Sequence, residues 1–237
     1  MSRYFVTATG TELGKTFTSA ALLHGARQAG LAVAALKPVA SGIDDDNLAD
    51  SDPAVLLAAQ EIPCDWAAVE RICPWHFRAP LSPDMAAARE GRGVPFDDLL
   101  RFCRATLDGP AGFALVEGVG GVMAPIDARH TVLDWVAALE IPALLVAGTY
   151  LGTISHTLTA LAVLAGRGVP VAALILSQSP DSPVPPAETA AAIARFAPDL
   201  PILHVPRLAG AEAWRRVPLY AELTRPGRTA AASTGRR

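Results

Sequence analysis

Short apolar runs alternate with helix-like segments along most of the chain. The apolar runs have the length of buried strands, and most are flanked by Gly or Pro; they are Tyr4–Ala8, Leu31–Lys37, Phe113–Val116, Ala143–Ala147, Val171–Leu176 and Ile202–Val205. Helical patterns lie between them, at Lys15–Ala29 and near Thr131–Leu139, Thr153–Ala165 and Ala187–Phe196. Nearly continuous apolar strands separated by helices predict an α/β fold, in which a mostly parallel sheet carries helices on both faces.

The same pattern predicts one structural unit. The sequence has no internal repeat and no long linker, and the Pro-rich stretch Ser179–Pro186 is typical of a loop. The last residues, Arg225–Arg237, are mainly Gly, Ala, Ser, Thr and Arg without apolar periodicity, as expected of a disordered terminus. We therefore predict a single domain over residues 1–224 and a disordered tail over residues 225–237.

Composition narrows the class of protein. Of the 237 residues, 51% are hydrophobic and 18% are charged, which suits a folded core, and the net charge of -3 gives no positive field for nucleic acid or an anionic membrane. The apolar runs are shorter than the ~20 residues of a membrane span, and the first residues show no signal-peptide pattern. Cys64, Cys73 and Cys103 lack the spacing of a disulfide or zinc site. We expect a soluble cytoplasmic protein.

A phosphate-binding loop is the strongest chemical signal. The segment Thr9-Gly10-Thr11-Glu12-Leu13-Gly14-Lys15-Thr16 follows the first predicted strand and opens the first predicted helix, which is the context that a P-loop requires. Backbone N–H groups there would hold phosphate oxygens, Lys15 would add positive charge, and the Thr16 hydroxyl would bind Mg²⁺. The strict motif has glycine where Thr9 stands.

Two further segments lie at the ends of predicted strands. Lys37 begins Lys-Pro-Val-Ala-Ser-Gly, and Glu117 lies in Val-Glu-Gly-Val-Gly-Gly. Ligands of open α/β sheets bind outside the carboxyl ends of the strands, so Lys37 could meet a transferred phosphoryl group and Glu117 could hold Mg²⁺. Asp52 is another acidic candidate, but spacing alone does not select it.

The order of these segments resembles that of dethiobiotin synthetases. Thr7–Thr16, Lys37–Gly42, Ser51-Asp52, Leu81–Pro83, Val116–Gly121 and Leu151–His156 occur in that order in this family, and the resemblance covers roughly residues 1–210. It implies a ligase that uses ATP to join CO₂, or bicarbonate as its source, to 7,8-diaminopelargonate in biotin synthesis. It also implies a homodimer with a mostly parallel sheet of about seven strands.

The resemblance assigns roles to individual residues. Lys15 and Lys37 would be catalytic, and Thr16, Asp52 and Glu117 would bind Mg²⁺. The substrate would contact Thr11, Lys37, Ser41, Ser82, Pro83, Leu151, Gly152 and Thr153, the last three at the start of a helix in the dimer interface. ATP would contact Glu12, Leu13, Gly14, Lys15, Thr16, Phe17, Asp52, Glu117, Gly118, Val119, Gly120, Ser177, Gln178, Pro206, Arg207 and Leu208.

Several positions depart from the family pattern. Ala8 stands where the family usually has Gly, Gly10 where it has Asp, and Ser177 where it commonly has an Asn that reads the adenine edge. Ser155 often corresponds to Asn, and the family has Lys near Tyr150. Gln178 could replace the missing Asn, but adjacent residues of a strand point to opposite faces. We therefore expect the protein to accept GTP or CTP more readily than family members with Asn.

Two alternative functions fit the residues less well. A cobyrinate diamide synthase would need an additional amidotransferase domain, for which this chain is too short. A MinD- or ParA-like ATPase switch would carry a second lysine inside the P-loop, and Thr9–Lys15 does not contain one. The segment Arg225–Arg237 also lacks the apolar face of a membrane-targeting helix.

Overall fold

The computed structural model describes residues 1–226. Of the predicted tail, residues 225–237, the part from position 227 onward therefore lies outside the described residues. The strands are β1 (Ser2–Ala8), β2 (Val33–Leu36), β3 (Val39–Ser41), β4 (Trp75–Phe77), β5 (Phe113–Glu117), β6 (Ala143–Ala147), β7 (Val171–Ser177) and β8 (Ile202–Val205). The helices are α1 (Lys15–Gln28), α2 (Asp52–Ala59), α3 (Trp66–Ile72), α4 (Pro83–Arg89), α5 (Phe96–Leu107), α6 (Val132–Leu139), α7 (Thr153–Gly166), α8 (Pro186–Ala194) and α9 (Leu219–Leu223).

The main sheet is fully parallel. Its six strands lie in the order β2-β5-β1-β6-β7-β8, and every neighbouring pair runs in the same direction. The expectation of about seven strands is corrected to six within the described residues. The short strands β3 and β4 pair with each other in a separate two-stranded sheet, so they do not extend the main one.

Helices cover both faces of the sheet, as the pattern predicted. Neighbouring residues of β1 point to opposite faces, and Phe5 packs edge-to-face on Trp135 of α6 with ring centroids 4.9 Å apart. On the other face, Tyr4 contacts Phe113, which packs against Tyr220 of α9. The central strands β5 and β6 are buried along their whole length, which explains their nearly continuous apolar sequences.

The parallel arrangement gathers the functional loops at one edge. Because all six strands run the same way, the loops that follow β1, β2, β5, β6 and β7 leave from the carboxyl edge of the sheet. The first of these loops is the predicted P-loop. Over residues 1–226, none of the helices combines the length and the hydropathy that crossing a membrane would demand.

Candidate active site

The loop between β1 and α1 has the backbone geometry of a phosphate cradle. Gly14 is the N-cap of α1 and has φ = 89°, in the left-handed region that favours glycine. A Cβ on Gly14 would lie 2.8 Å from Oγ of Ser177, so this position requires glycine. The first turn of α1 carries no acidic side chain, which leaves the positive end of the helix dipole available to an anion.

Lys15 lies along this loop and is nearly buried. Its exposed fraction is 7%, and its Nζ donates to the carbonyl oxygen of Gly120 at 2.8 Å. Burial, and then the nearby ammonium of Lys37, lower the pKa of Lys15 to about 8. A bound phosphate would add negative charge beside the ammonium and raise that pKa again. Lys15 is therefore poised to bind an anion.

Thr16, Asp52 and Glu117 converge beside the start of α1. Oγ1 of Thr16 lies 2.7 Å from Oδ1 of Asp52 and 2.7 Å from Oε1 of Glu117. Glu117 is the last residue of β5 and is fully buried, whereas the Asp52 side chain is half-exposed. Residues that are distant in sequence thus form one group of oxygen atoms at the carboxyl edge.

Lys37 occupies the centre of this group. Its side chain is 2% exposed, and Nζ lies 2.7 Å from Oε1 of Glu117 and 2.9 Å from Oδ2 of Asp52. Nζ also donates to the carbonyl oxygen of Gly118 at 3.0 Å. Burial alone would lower the pKa of Lys37, but Glu117 and then Asp52 outweigh burial and hold that pKa above its ordinary value. Lys37 is therefore a permanent cation within the site.

Asp52 is positioned by the start of α2. Ser51 is the N-cap of this helix, and its Oγ accepts the N–H of Ala54 at 3.4 Å. Pro53 follows as a favourable early helical residue. Burial would raise the pKa of Asp52, but Lys37 and then Thr16 lower it to about 2. Asp52 is therefore ionised at neutral pH.

The three oxygen-bearing side chains fit a hard cation such as Mg²⁺. Oε2 of Glu117 is buried, and it has no hydrogen-bond partner among residues 1–226. Carboxylate and hydroxyl oxygens are suitable Mg²⁺ ligands, and nucleotide sites often supply one or two carboxylates with the rest from phosphate and water. The described residues contain no cluster of three or more His, Cys, Asp or Glu side chains suited to a metal, so phosphate oxygens would have to complete the coordination.

A cavity of about 740 Å³ opens above this group. The predicted phosphate, metal and diamine residues that line it are Thr11, Glu12, Leu13, Gly14, Lys15, Thr16, Lys37, Ser41, Asp52, Ser82, Pro83, Val119 and Gly120. Glu117 and Gly118 lie behind its wall, where they contact Thr16 and Lys37. The structure thus brings together residues from the P-loop, from the loop after β2, and from the starts of α2 and α4.

A second cavity of about 410 Å³ adjoins the P-loop. The predicted ATP-binding residues that line it are Glu12, Leu13, Gly14, Phe17, Ser177, Gln178, Pro206, Arg207 and Leu208. Ser177 and Gln178 both line this cavity. The strand β7 ends at Ser177, and strict alternation does not extend beyond it.

The predicted residues at the start of α7 lie apart from both cavities. Leu151, Gly152 and Thr153 line neither of them. Leu151 is 86% exposed, and Thr153 is buried with its Oγ1 donating to the carbonyl oxygen of Gly148 at 2.7 Å. Within the described part of one chain, these residues are not assembled with the phosphate site.

Sequence reasoning missed one polar residue that lines the larger cavity. Asn47 contributes to its wall, and its side-chain amide donates to the carbonyl oxygen of Gly42 at 2.9 Å. The polar run Asp44–Asn47, placed only two residues after the predicted Lys37–Gly42 segment, was the available signal. A short polar run of this kind is more often a solvated loop, which is why the sequence did not single it out.

A phosphate cradle with a basic and acidic cluster at the carboxyl edge of a parallel sheet defines a P-loop nucleotide-binding protein. A family model described as an AAA domain matches residues 2–214. The ATP-dependent dethiobiotin synthetase BioD of Acidiphilium cryptum is 50% identical over 82% of this chain and 88% of its own. That of Methylobacterium nodulans is 49% identical over 83% of this chain and 90% of its own. The chain belongs to the dethiobiotin synthetase family.

Similar solved structures support the fold alone. The cell division ATPase MinD of Pyrococcus furiosus superposes with a TM-score of 0.54 at 18% identity, covering 94% of this chain and 98% of that one. A ParA family ATPase from Chlorobium tepidum superposes with a TM-score of 0.52 at 11% identity, covering 94% of this chain and 91% of that one. At such identities the likeness carries no argument for a switch function.

Proposed function

We propose that the protein is a dethiobiotin synthetase that uses ATP to join CO₂ to 7,8-diaminopelargonate and to close a cyclic urea. The observation that carries this proposal is the buried Lys37, held between Asp52 and Glu117 beside the phosphate cradle. Extensive identity to curated synthetases supports the same assignment. Such a cation suits a reaction in which two anions, a carbamate and a triphosphate, must approach each other.

The chemistry requires little covalent work from the protein. One neutral amine of the substrate attacks CO₂ and, after losing a proton, becomes a carbamate anion. A carbamate oxygen attacks the γ-phosphorus of ATP and displaces ADP, which gives a carbamic–phosphoric anhydride. The second amine attacks the carbamate carbon, closes the ring and expels phosphate. Positioning and charge stabilisation carry such a reaction.

Each group of residues then has a role. Lys15 and Lys37 stabilise the phosphates and the carbamate, and Thr11, Ser41, Ser82 and Pro83 face the diamine. The nucleotide contacts Glu12–Phe17, Val119 and Gly120, and the second cavity receives its base. Thr16, Asp52 and Glu117 would hold Mg²⁺, which when bound offsets the charge of the phosphates.

The remaining residues are assigned through a homodimer. The substrate ends in a carboxylate, and the N-terminus of α7 at Gly152 suits an anion because its first turn carries no acidic side chain. We propose that Leu151, Gly152 and Thr153 of one protomer complete the site of its partner. The exposed Leu151 and Ile154 support an interface there. Three free cysteines agree with the reducing cytoplasm as the location.

Turnover tests the proposal. We expect rapid ADP release only when ATP, Mg²⁺, 7,8-diaminopelargonate and bicarbonate are all present, and a slow background without the diamine. An ATPase switch would instead hydrolyse ATP at the same rate with and without the diamine and bicarbonate. That second outcome would overturn the proposal.

A further inference from the structure

The strand β2 lies at the edge of the main sheet, and groups from the helices α2 and α3 bond to its outer side. β2 pairs with β5 on its inner side. An uncovered strand edge would leave backbone N–H and C=O groups without partners. The backbone N–H of Lys37, which follows β2, donates to the carbonyl oxygen of Ile72 at the end of α3, at 3.0 Å. Ala35, two residues earlier and on the same side of the strand, needs a partner of its own.

Gln60 is that partner. It caps the C-terminal end of α2, and its Oε1 accepts the backbone N–H of Ala35 at 2.9 Å. A backbone N–H can only donate, so the amide oxygen is the atom that faces it. The NH₂ group donates to the carbonyl oxygen of Leu56 at 3.1 Å and lies 3.5 Å from that of Ala35. The carboxamide thus takes the place of a neighbouring strand at this residue and fastens α2 to β2.

The same end of α2 is also attached to α1. Arg27, in the last turn of α1, donates to the carbonyl oxygen of Gln60 at 3.0 Å and forms an ion pair with Glu61. The three elements α1, β2 and α2 are therefore joined at one place. Each of them also reaches the proposed site, so a change at this junction can be transmitted to the site.

The contact between Gln60 and Ala35 closes a ring of links that includes Lys37 and Asp52. Along the chain after β2, Lys37 lies two residues beyond Ala35, about 7 Å at the rise of a strand. Along α2, Asp52 lies eight residues before Gln60, about 12 Å at the rise of a helix. The ring is completed by the distance of 2.9 Å between Nζ of Lys37 and Oδ2 of Asp52. Gln60 therefore limits how far α2 can slide along β2, and with it the position of the Asp52 carboxylate.

Asp52 depends on this attachment more than Glu117 does. Glu117 is fully buried at the end of the central strand β5 and pairs in register with Val6 of β1. The Asp52 side chain is 49% exposed, and its helix has only eight residues. A helix of that length is not stable by itself and is held in place by its tertiary contacts.

We propose that Gln60 is a positioning residue for Asp52: it holds α2 at a fixed place along the edge of β2 and so keeps the Asp52 carboxylate beside Lys37 and Thr16. This inference rests on the proposed function, in which Asp52 binds Mg²⁺. Gln60 lines neither of the two cavities. Loss of its carboxamide leaves the phosphate cradle in place but makes the Asp52 carboxylate less well placed for the cation.

Binding measured without turnover tests this proposal. ADP is titrated by calorimetry at several Mg²⁺ concentrations, with neither diamine nor bicarbonate present. The variants are Gln60→Met, which keeps the length of the side chain and removes its hydrogen bonds, Asp52→Asn, and the double variant. Val169→Ala is the control for lowered stability, because Val169 is 6% exposed and lies before β7, at the edge of the sheet opposite the site.

The expected result links Gln60 to Asp52 specifically. Gln60→Met raises the Mg²⁺ concentration needed for tight ADP binding by about tenfold, and ADP affinity without Mg²⁺ stays the same. In the Asp52→Asn background Gln60→Met has no further effect, because two residues that act through the same contact are not additive. Val169→Ala leaves the Mg²⁺ requirement unchanged. The proposal is overturned by an unchanged requirement in Gln60→Met, by a full further increase in the double variant, or by an equal increase in Val169→Ala.

A milder variant covers the case in which Gln60→Met does not fold. The carboxylate of Gln60→Glu can still accept the N–H of Ala35, but it cannot donate to the carbonyl oxygen of Leu56. We expect its Mg²⁺ requirement to rise by less than tenfold. A requirement equal to that of the natural protein would then overturn the proposal.

The outcomes also separate this proposal from the proposed function. If Gln60→Met raises the Mg²⁺ requirement as expected but the natural protein forms no cyclic urea, the proposed reaction fails alone. If the natural protein forms the cyclic urea but Gln60→Met keeps the natural requirement, the inference about Gln60 fails alone. An unchanged requirement in Asp52→Asn would remove Asp52 as a ligand and overturn the inference about Gln60 with it.

Discussion

At the scale of single residues, the site depends on one buried cation between two carboxylates. Lys37 is 2% exposed and Glu117 is fully buried. Each side chain compensates the charge of the other, because an unpaired charge in the protein interior would be costly. The whole chain has only two lysines, Lys15 and Lys37, and both lie in this site. Every other residue of the Lys and Arg class is arginine.

Removal of Lys37 tests its proposed catalytic role. We expect Lys37→Ala to lower kcat on the order of 10²–10³, because the carbamate and the triphosphate would approach with one cation fewer. The measurement is steady-state turnover with saturating ATP, diamine and bicarbonate. Retained ADP binding and an unchanged circular dichroism spectrum would show that the variant is folded. Near-normal turnover in that folded variant would contradict the role.

Asp52 provides a separate test of the proposed metal site. We expect Asp52→Asn to raise the Mg²⁺ concentration needed for tight ADP binding by about tenfold or more, since one anionic ligand is lost. The control is Asp46→Asn, an exposed carboxylate of the preceding loop. Calorimetric titration of ADP at several Mg²⁺ concentrations gives the answer. Equal Mg²⁺ requirements in both variants would reject Asp52 as a ligand.

Glu117 and Asp52 differ in how far the sequence alone could place them. Glu117 was predicted from its place after a buried strand, and the structure has it in contact with Thr16. Asp52 could not be selected by spacing, because its position depends on where α2 begins. It reaches Thr16, 36 positions earlier, only once the loop after β2 has folded back over the sheet edge. The resemblance to dethiobiotin synthetases identified Asp52 as a candidate Mg²⁺ ligand, which the residue pattern alone could not do.

At the scale of elements, α1 links the phosphate cradle to the C-terminal helix. The helix α1 packs against α9, and Gly25 of α1 faces Tyr220 of α9. A Cβ on Gly25 would lie 2.6 Å from Cβ of Tyr220, which is too close for two carbon atoms. Tyr220 in turn packs on Phe113 of the central strand β5. The glycine therefore allows α9 to cover this face of the sheet.

Alanine at two helical glycines separates packing from helix propensity. We expect Gly25→Ala to lower the free energy of unfolding by roughly 1–3 kcal/mol, because overpacking outweighs the better helix propensity of alanine. A Cβ added to Gly166, the last residue of α7, would meet no heavy atom of the described residues within 4 Å. Gly166→Ala should leave that free energy unchanged or raise it by up to about 1 kcal/mol. Urea unfolding of both variants measures these free energies of unfolding. Equal changes in the two variants would contradict the packing account.

Elements with a strong apolar period were predictable, and short ones were not. The strands β5 and β6 were found because five consecutive buried residues give a clear signal. The strands β3 and β4 have three residues each, too few to show a period, and their pairing depends on contacts distant in sequence. The helix α5 did carry a usable signal, since Leu99, Cys103 and Leu107 recur at four-residue intervals and are its buried residues.

At the scale of the whole molecule, the parallel sheet explains why a single edge can hold every part of the reaction. The phosphate cradle follows β1, Lys37, which we propose to be catalytic, follows β2, the buried Glu117 ends β5, and the cavity proposed for the base lies beyond β7 and β8. Each part was visible in the sequence as a strand end, but their mutual distances were set by the strand order. That order places β5 between β1 and β2, which is why Glu117 meets both Thr16 and Lys37.

The most direct test of the central claim follows the carbon of bicarbonate. The protein is incubated with ATP, Mg²⁺, 7,8-diaminopelargonate and ¹³C-labelled bicarbonate, and the product is analysed by mass spectrometry together with the ADP formed. The account predicts a cyclic urea that carries the label, with one ADP released for each molecule of product, and a large loss of both in Lys37→Ala. Release of ADP without labelled product would contradict the claim that this site joins CO₂ to the diamine.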